Sequence, residues 1–260
     1  MEHSSVVTAE RSGGPRRSRD GAAPAWQEAT VAAVIDEAPD AVTLRLRLGE
    51  ATGFLPGQYY NVRVSVPGRQ RPVQRAYSVG SSPMPDPSVI DLGIREVPGG
   101  LLSPLLVGLR VGERLWVRGP YGRFTWDGRD GGPVLLVGAG SGMVPLMSML
   151  RHAAQRGRRD PVVLICSAIT YPHAFYCDEL AELVARHSWL RVVYCITRDP
   201  GEPRAHYHRR VDKAVLSESL EGIHPYAAYL CGAPVMVEST VEALVGLGVA
   251  PGAISTEKYD

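Results

Sequence analysis

The stretch VLLVGAGSGMVPLMSMLRH, Val134 to His152, runs an apolar, strand-like segment into a glycine-rich turn and then into a helix-like segment. A buried strand that delivers glycines to a helix N-terminus brings backbone N–H groups up to a pyrophosphate in many α/β proteins. The spacing here departs from the dinucleotide fingerprint. Gly138, Gly140 and Gly142 fall as G-x-G-x-G rather than G-x-G-x-x-G, and the next apolar run, PVVLICSA, ends in Ser167 and Ala168 with no ribose-binding acid after it. Alone, the turn is either a phosphate cradle or a strand-to-helix connection that uses glycine for its backbone freedom.

The sequence around it narrows the choice. The 260 residues, 45% hydrophobic and 21% charged, suffice for two ordinary cores, as expected of a soluble globular protein. A formal net charge of +1 gives no sign of a polyanion partner, so nucleic acid is not expected. Residues 1–24, rich in Ser, Gly, Arg and Ala, have too few large apolar side chains to offset their ordering entropy and read as a disordered leader. Arg16-Arg17 is followed by Ser, Arg and Asp and then only Gly, Ala and Pro before Trp26, rather than an apolar export segment, and the one long apolar window carries three glycines and Pro145. No membrane span and a cytoplasmic location follow as expectations. Cys166, Cys177, Cys195 and Cys231 lack the close spacing of a zinc or iron–sulfur site, so no metal is expected.

The chain has two rhythms. From Trp26 to Asp127, VTLRLRL, YNVRVSV, SVIDLGI and ERLWVRG read as short strands between Pro and Gly punctuation, which suggests a small antiparallel barrel. From Pro133 onward the apolar runs VLLVG, VVLIC, RVVYCIT and AAYLCG alternate with helical segments such as CDELAELVARH and APVMVESTVEALVGLG, the pattern of a parallel sheet wound by helices. The turn-rich WDGRDGGP, 126 to 133, is the joint between a barrel domain over 25–128 and an α/β domain over 132–260.

Two motifs in the barrel half suit an anionic cofactor. In RAYSVGSSP, Arg75 and Tyr77 share one face of a strand, a guanidinium able to clasp phosphate beside a ring able to lie on another ring, while Ser78 points the other way. In GGLLSPLL, Ser103 is placed to cap a helix opening with Pro104, leaving free N–H groups. Each also reads as structure alone: an exposed Arg and Tyr, and a capped helix between strands.

Taken in order, R-x-Y-S, G-G-x-x-S, GPYGRF (119–124), GAGSGMVP and CGAPVM resemble the ferredoxin–NADP reductase superfamily over nearly everything from Trp26 to Asp260. LPGQYYNVRV resembles that family's early barrel strand, and TEKYD its short acidic-aromatic ending. The resemblance implies an antiparallel Greek-key barrel for FAD followed by an α/β parallel sheet for NAD(P). It implies that Arg75 holds the FAD pyrophosphate, with Ala76 beside it, that Tyr77 stacks on the isoalloxazine, that Ser78 lies near flavin N5, and that Gly99, Gly100 and Ser103 close on the phosphate. Gly138, Gly140, Gly142 and Pro145 would receive the nicotinamide dinucleotide, with Cys231, Gly232 and Met236 beside the nicotinamide. Glu257 and Tyr259 would reach back to the flavin, unless the ending is a solvated tail. Ser78, Cys231 and Glu257 are the candidate catalytic residues.

NADPH is favoured over NADH because Thr197 and Arg198 close the third parallel strand and the following loop adds Arg204, Tyr207, Arg209 and Arg210, although Asp199 and Glu202 share that loop. With no iron–sulfur cysteine cluster in the sequence, the electrons are expected to leave to a separate acceptor, a ferredoxin or an oxygenase component. The rival readings are a reductase of freely diffusing flavin and a non-catalytic flavin-binding electron-transfer subunit.

Overall fold

The computed structural model describes residues 24–66, 68–128 and 131–259. The expected disordered leader lies, apart from Pro24, outside the described residues.

Six antiparallel strands come first: β1 Gln27–Ala38, β2 Ala41–Leu48, β3 Tyr59–Val64, β4 Val73–Ser78, β5 Val89–Arg95 and β6 Arg114–Tyr121. They lie in the order β4-β3-β6-β1-β2-β5, a Greek-key arrangement. A bridge between Val79 and Leu92, with the Gly80 N–H donating to the Asp91 carbonyl at 2.7 Å, joins the two outer strands and closes the barrel. Alternate residues point inward, so Leu44, Leu46, Tyr60, Val62, Ile90, Leu92, Ile94 and Val117 fill the interior. Each fully buried aliphatic side chain contributes roughly 1.5–3 kcal/mol of apolar transfer. A five-residue helix, α1 Ser103–Val107, buries Leu106 against the same core.

The second half is a parallel sheet in the order β11-β10-β7-β8-β9, built from β7 Val134–Ala139, β8 Val162–Ala168, β9 Leu190–Ile196, β10 Ala227–Gly232 and β11 Ile254–Lys258. Strands covered on both faces need continuous apolar sequence, as the four runs starting at Val134, Val162, Leu190 and Ala227 provide. On one face Leu136 and Leu164 pack with Leu146, Leu150 and Leu180 from α2 Met143–Gln155 and α3 Cys177–Arg186. On the other, Leu135, Val137 and Ile165 pack with Val215, Leu216, Val237 and Leu244 from α4 Lys213–Leu220 and α5 Pro234–Val245. Arg158 pins the joint between the halves: its guanidinium lies 4.8 Å from the Trp126 ring and donates to the Gly132 carbonyl at 2.5 Å.

Three sequence expectations change. The strand-like reading of YNVRVSV stops at Val64, two residues early. The longest strand, β1, has no counterpart in the alternation pattern because register shifts between Val31 and Ala33 and between Asp36 and Ala38 break its period. AAYLCG, which carries Cys231, is not the last parallel strand: β11, from the polar segment ISTEK, adds a fifth strand outside β10.

Candidate active site at the junction of two clefts

The first cleft, about 520 Å³, lies in the barrel half. β4 supplies Arg75, Ala76, Tyr77 and Ser78, β5 supplies Gly93 and Arg95, and the turn before α1 supplies Gly100 to Ser103. The other half reaches across with Ser141, Val144, Lys258 and Tyr259. Among the described residues, three cations and no carboxylate line this space, so it suits an anion. Arg95 is engaged by Asp40 at 2.7 Å and by the His173 carbonyl at 2.6 Å, and Lys258 by Glu238 at 2.8 Å. Among the described residues Arg75 donates to the adjacent Gln74 carbonyl alone, which leaves most of its donor fork for a ligand. Tyr77 is half-buried, and burial pushes its hydroxyl up to about 12.

The glycine turn is shaped by close approach. Gly99 has φ +73° with nothing where a Cβ would stand, and a Cβ on Gly100 would come within 2.8 Å of the Val97 carbonyl. Ser103 does not cap α1 as its sequence position suggested. Leu102 is the N-cap residue, and the Ser103 hydroxyl instead accepts from the Val97 N–H at 3.0 Å. The serine therefore closes the Val97–Ser103 turn on itself, which fixes the Gly99–Gly100 backbone at the cleft edge.

The second cleft, about 670 Å³, opens at the carboxyl ends of the parallel strands. Strands β8 and β9 lie to one side of β7 and β10 to the other, so the strand order reverses at β7 and leaves a crevice there. The three glycines of the turn divide their work. Gly138 and Gly142 are packing glycines, since a Cβ would meet Met143 Sδ at 2.6 Å in the first case and collide with the Cys231 carbonyl in the second. Gly140, at φ +56° with open space above it, is the one that lines the cleft. Pro145 is buried in the first turn of α2, where its missing N–H leaves nothing unpaired. Gly232 adopts φ +153°, and a Cβ there would press within 2.6 Å of Met236, itself a cleft residue.

Thr197 and Arg198 enter this cleft because their N–H groups bond the Ala168 and Ile169 carbonyls at 3.0 and 2.8 Å, tying the end of β9 to β8. Arg209 and Arg210 line it with them, and no carboxylate among the described residues does. Arg204 and Tyr207 do not line it. Arg204 is paired with Glu202 at 2.5 Å and lies 3.7 Å from the Tyr171 ring centroid, and Tyr207 sits beneath Arg209.

The clefts meet at a polar chain. Cys231 on β10 is in register with Glu257 on β11, and the Tyr259 N–H donates to the Gly232 carbonyl at 3.1 Å. This carries the Tyr259 hydroxyl to Ser78, with which it hydrogen-bonds, while donating to Glu257 Oε2 at 3.3 Å. With the Glu257 carboxyl ionised, Tyr259 donates to it and Ser78 donates to Tyr259. The ending is packed here as a strand and a partly buried ring rather than standing free in solvent. Cys231 is fully buried and lines neither cleft; burial and then the Glu257 charge push its thiol up. Sequence reasoning passed over Gly93, Ser141 and Val144, although a glycine inside the strand VIDLGIR marks a close approach. A Cβ on Gly93 would collide with Val144.

Burial raises the Glu257 carboxyl from 4.5 to about 7, against a smaller opposing effect of the Tyr259 hydrogen bond. Below about pH 4.5 the group is protonated whether the chain is folded or not. As pH rises toward 7 the unfolded chain releases this proton first, so stability is lost over that window and stays lost above it. Glu257→Gln is expected to stabilise the flavin-free protein by about 1–3 kcal/mol at pH 8 and to change little at pH 4.5, read as thermal midpoints at both values.

Two clefts lined by no carboxylate among the described residues, one in an antiparallel barrel and one at the strand reversal of a parallel sheet, joined by a partly buried hydroxyl–carboxyl chain, define a two-cofactor oxidoreductase fold. The family described as Oxidoreductase FAD-binding domain matches residues 28–126, and that described as Oxidoreductase NAD-binding domain matches 136–242. The reductase component of the naphthalene 1,2-dioxygenase system of Pseudomonas putida, a ferredoxin–NAD(P)(+) reductase, is 32% identical over 88% of this chain and 68% of its own length. The solved cytochrome P450 reductase of Amycolatopsis superposes with a TM-score of 0.78 at 31% identity, over 90% of this chain and 70% of that one. The ferredoxin NADP+ reductase of Neisseria gonorrhoeae, solved with FAD and NADP, gives 0.78 at 24% identity, over 90% and 98%, a likeness of fold. The chain belongs to the ferredoxin–NADP reductase superfamily and is a flavin-dependent NAD(P)H oxidoreductase. No helix among the described residues is long and apolar enough to cross a membrane.

Proposed function

We propose that this protein takes reducing equivalents from NADPH in preference to NADH and passes them to a separate protein acceptor, a ferredoxin or an oxygenase component. Residues 25–128 form the flavin half and 132–260 the nucleotide half, and the four free thiols fit a cytoplasmic setting. The observation that carries the reading is the junction itself, where Ser78 of the barrel is bonded to Tyr259 of the other half between two clefts that both favour anions. The open guanidinium of Arg75, the space above Gly99 and the half-buried ring of Tyr77 fit a flavin dinucleotide.

Bound FAD supplies hydride acceptance and electron release. The chain supplies the rest. Arg75, with the turn from Gly99 to Ser103, binds diphosphate, and Ala76, Tyr77 and Ser78 orient the ring. Tyr259 and Val144 keep water from the junction. Glu257, with its carboxyl raised to about 7, holds a proton beside Tyr259 on the acid side of neutrality. Gly140, Thr197 and Arg198 hold the nucleotide, while Met236, packed against Gly232, shapes its nicotinamide end.

The preference for NADPH rests on Arg198, Arg209 and Arg210 in a cleft without a carboxylate to repel a 2′-phosphate. Arg198→Ala is expected to raise the Michaelis constant for NADPH by about 10–100-fold, the loss of a charge-assisted contact of roughly 1.5–3 kcal/mol, with NADH nearly untouched. Equal weakening toward both nucleotides, or a wild-type preference for NADH, would remove the assignment. Flavin that stays with the chain through gel filtration separates this reading from a reductase of diffusing flavin.

A further inference from the structure

Helix α2 is buried almost throughout, yet three of its polar residues, Ser148, Arg151 and His152, share one face at the i, i+3, i+4 spacing. All three bond to three consecutive barrel residues. Ser148 Oγ donates to the Ser81 carbonyl at 2.6 Å, Arg151 Nη1 donates to the Gly80 carbonyl at 2.7 Å, and His152 Nδ1 shares a hydrogen bond with Ser82 Oγ at 3.1 Å.

Arg151 is held from both sides. Its Nε and Nη2 donate to the two Glu179 oxygens of α3 at 2.8 and 2.5 Å, and Nη1 stands 3.7 Å from Asp91 of the barrel, which Arg45 clamps with two further bonds. Gly80 must lack a side chain for this approach, since a Cβ would come within 2.9 Å of the Tyr176 hydroxyl, and Tyr176 lies under the Arg151 guanidinium.

The segment so gripped begins two residues after Ser78. The helix that grips it begins directly after the Gly140–Gly142 turn, and its N-terminal end, Ser141 and Val144, borders the flavin cleft while Gly140 borders the nucleotide cleft. From Met143 to Arg151 the helix is a rod about 12 Å long at 1.5 Å per residue. Its far end is fixed to the strand end that carries Tyr77 and Ser78, and its near end carries the nucleotide turn.

We propose that Ser148, Arg151 and His152 are positioning residues, with Arg151 central, that lock α2 to Gly80–Ser82 and so set the spacing at which the two clefts face each other. None of them lines either cleft. The role rests on the two-cofactor reading above. A displacement of about 1 Å between reacting groups costs on the order of 10²-fold in rate, so loosening the lock lowers the rate of the transfer step while leaving each ligand's own contacts in place.

The test compares the FAD-loaded full chain with Arg151→Met, Arg151→Lys and Ser148→Ala. Arg151→Met is expected to keep its flavin and to bind nucleotide within about threefold of wild type, but to reduce the flavin about 10²-fold more slowly at saturating nucleotide. Arg151→Lys, which keeps the charge but cannot reach Glu179 and Gly80 with one fork, is expected to recover part of that rate. Independently of turnover, calorimetry of the flavin-free proteins is expected to give one unfolding transition for wild type and two for Arg151→Met, as the halves uncouple. Wild-type reduction rate together with a single transition in Arg151→Met would overturn the proposal. If that variant does not fold, Ser148→Ala decides: a several-fold slower reduction at unchanged nucleotide affinity supports the lock, and an unchanged rate overturns it. A wild-type protein that neither nucleotide reduces would count against the proposed function, and the calorimetric comparison would still judge the lock.

Discussion

Gly142→Ala is expected to lower stability by about 4 kcal/mol or more, a loss large enough that little folded protein survives. The backbone of Gly142 is helical, at φ −61°, so alanine adds no conformational strain. What it adds is a methyl group driven into the Cys231 carbonyl and within 2.9 Å of the Gly232 nitrogen. Both obstacles are backbone atoms of β10 held in the sheet on both sides, so neither can give way without breaking the ladder. The neighbouring glycines set a scale. Gly138→Ala meets the Met143 and Leu146 side chains, which can shift, and is expected to cost about 1–3 kcal/mol. Gly140→Ala meets nothing but must hold φ +56°, at about 1–2 kcal/mol. Thermal melts of the three variants, ranked Gly142, Gly138, Gly140 in decreasing loss, check this division; equal losses would contradict it.

Arg75→Ala is expected to weaken FAD binding by about 10–100-fold with little change in the stability of the flavin-free protein. The side chain is exposed, and its recorded bond is to the carbonyl of the preceding residue, so the fold does not depend on it. A charge-assisted bond to a diphosphate is worth roughly 1.5–3 kcal/mol, and Arg95 and Lys258 cannot replace it while held by Asp40 and Glu238. Fluorescence titration of flavin-free protein with FAD reads the loss directly. An unchanged affinity would move the diphosphate away from this part of the cleft.

What the sequence made legible follows from where one physical demand dominates. The parallel strands were readable because burial on both faces requires unbroken apolar runs, and β2 and β6 because one-sided burial imposes alternation. β1 escaped because its irregular register removes the period, and β11 because an edge strand made of ISTEK shows no apolar signal. At the site, motif order brought Arg75, Tyr77 and Ser78 to one cleft and Thr197 and Arg198 to the other. It did not separate the packing glycines from the cleft glycine, because that distinction depends on which distant backbone lies overhead. Ser103 was misread as a cap because a serine before Pro104 looks the same whether its hydroxyl serves the helix or the turn behind it. Arg204 and Tyr207 were grouped with the cleft arginines because sequence proximity says nothing of Glu202 and Tyr171, which hold Arg204 outside. The polar face of α2 was visible as Ser148, Arg151 and His152 within an apolar helix, and only its barrel partners give it meaning.

The central claim is that the two clefts hold FAD and a reduced nicotinamide dinucleotide against each other at Ser78. Its most direct measurement is anaerobic stopped-flow mixing of FAD-loaded protein with NADPH and, separately, NADH, following the visible absorption of the flavin. Rapid bleaching with both nucleotides, half-saturating at lower concentration for NADPH, is expected. Flavin that keeps its full absorption in the presence of saturating amounts of either nucleotide would contradict the claim.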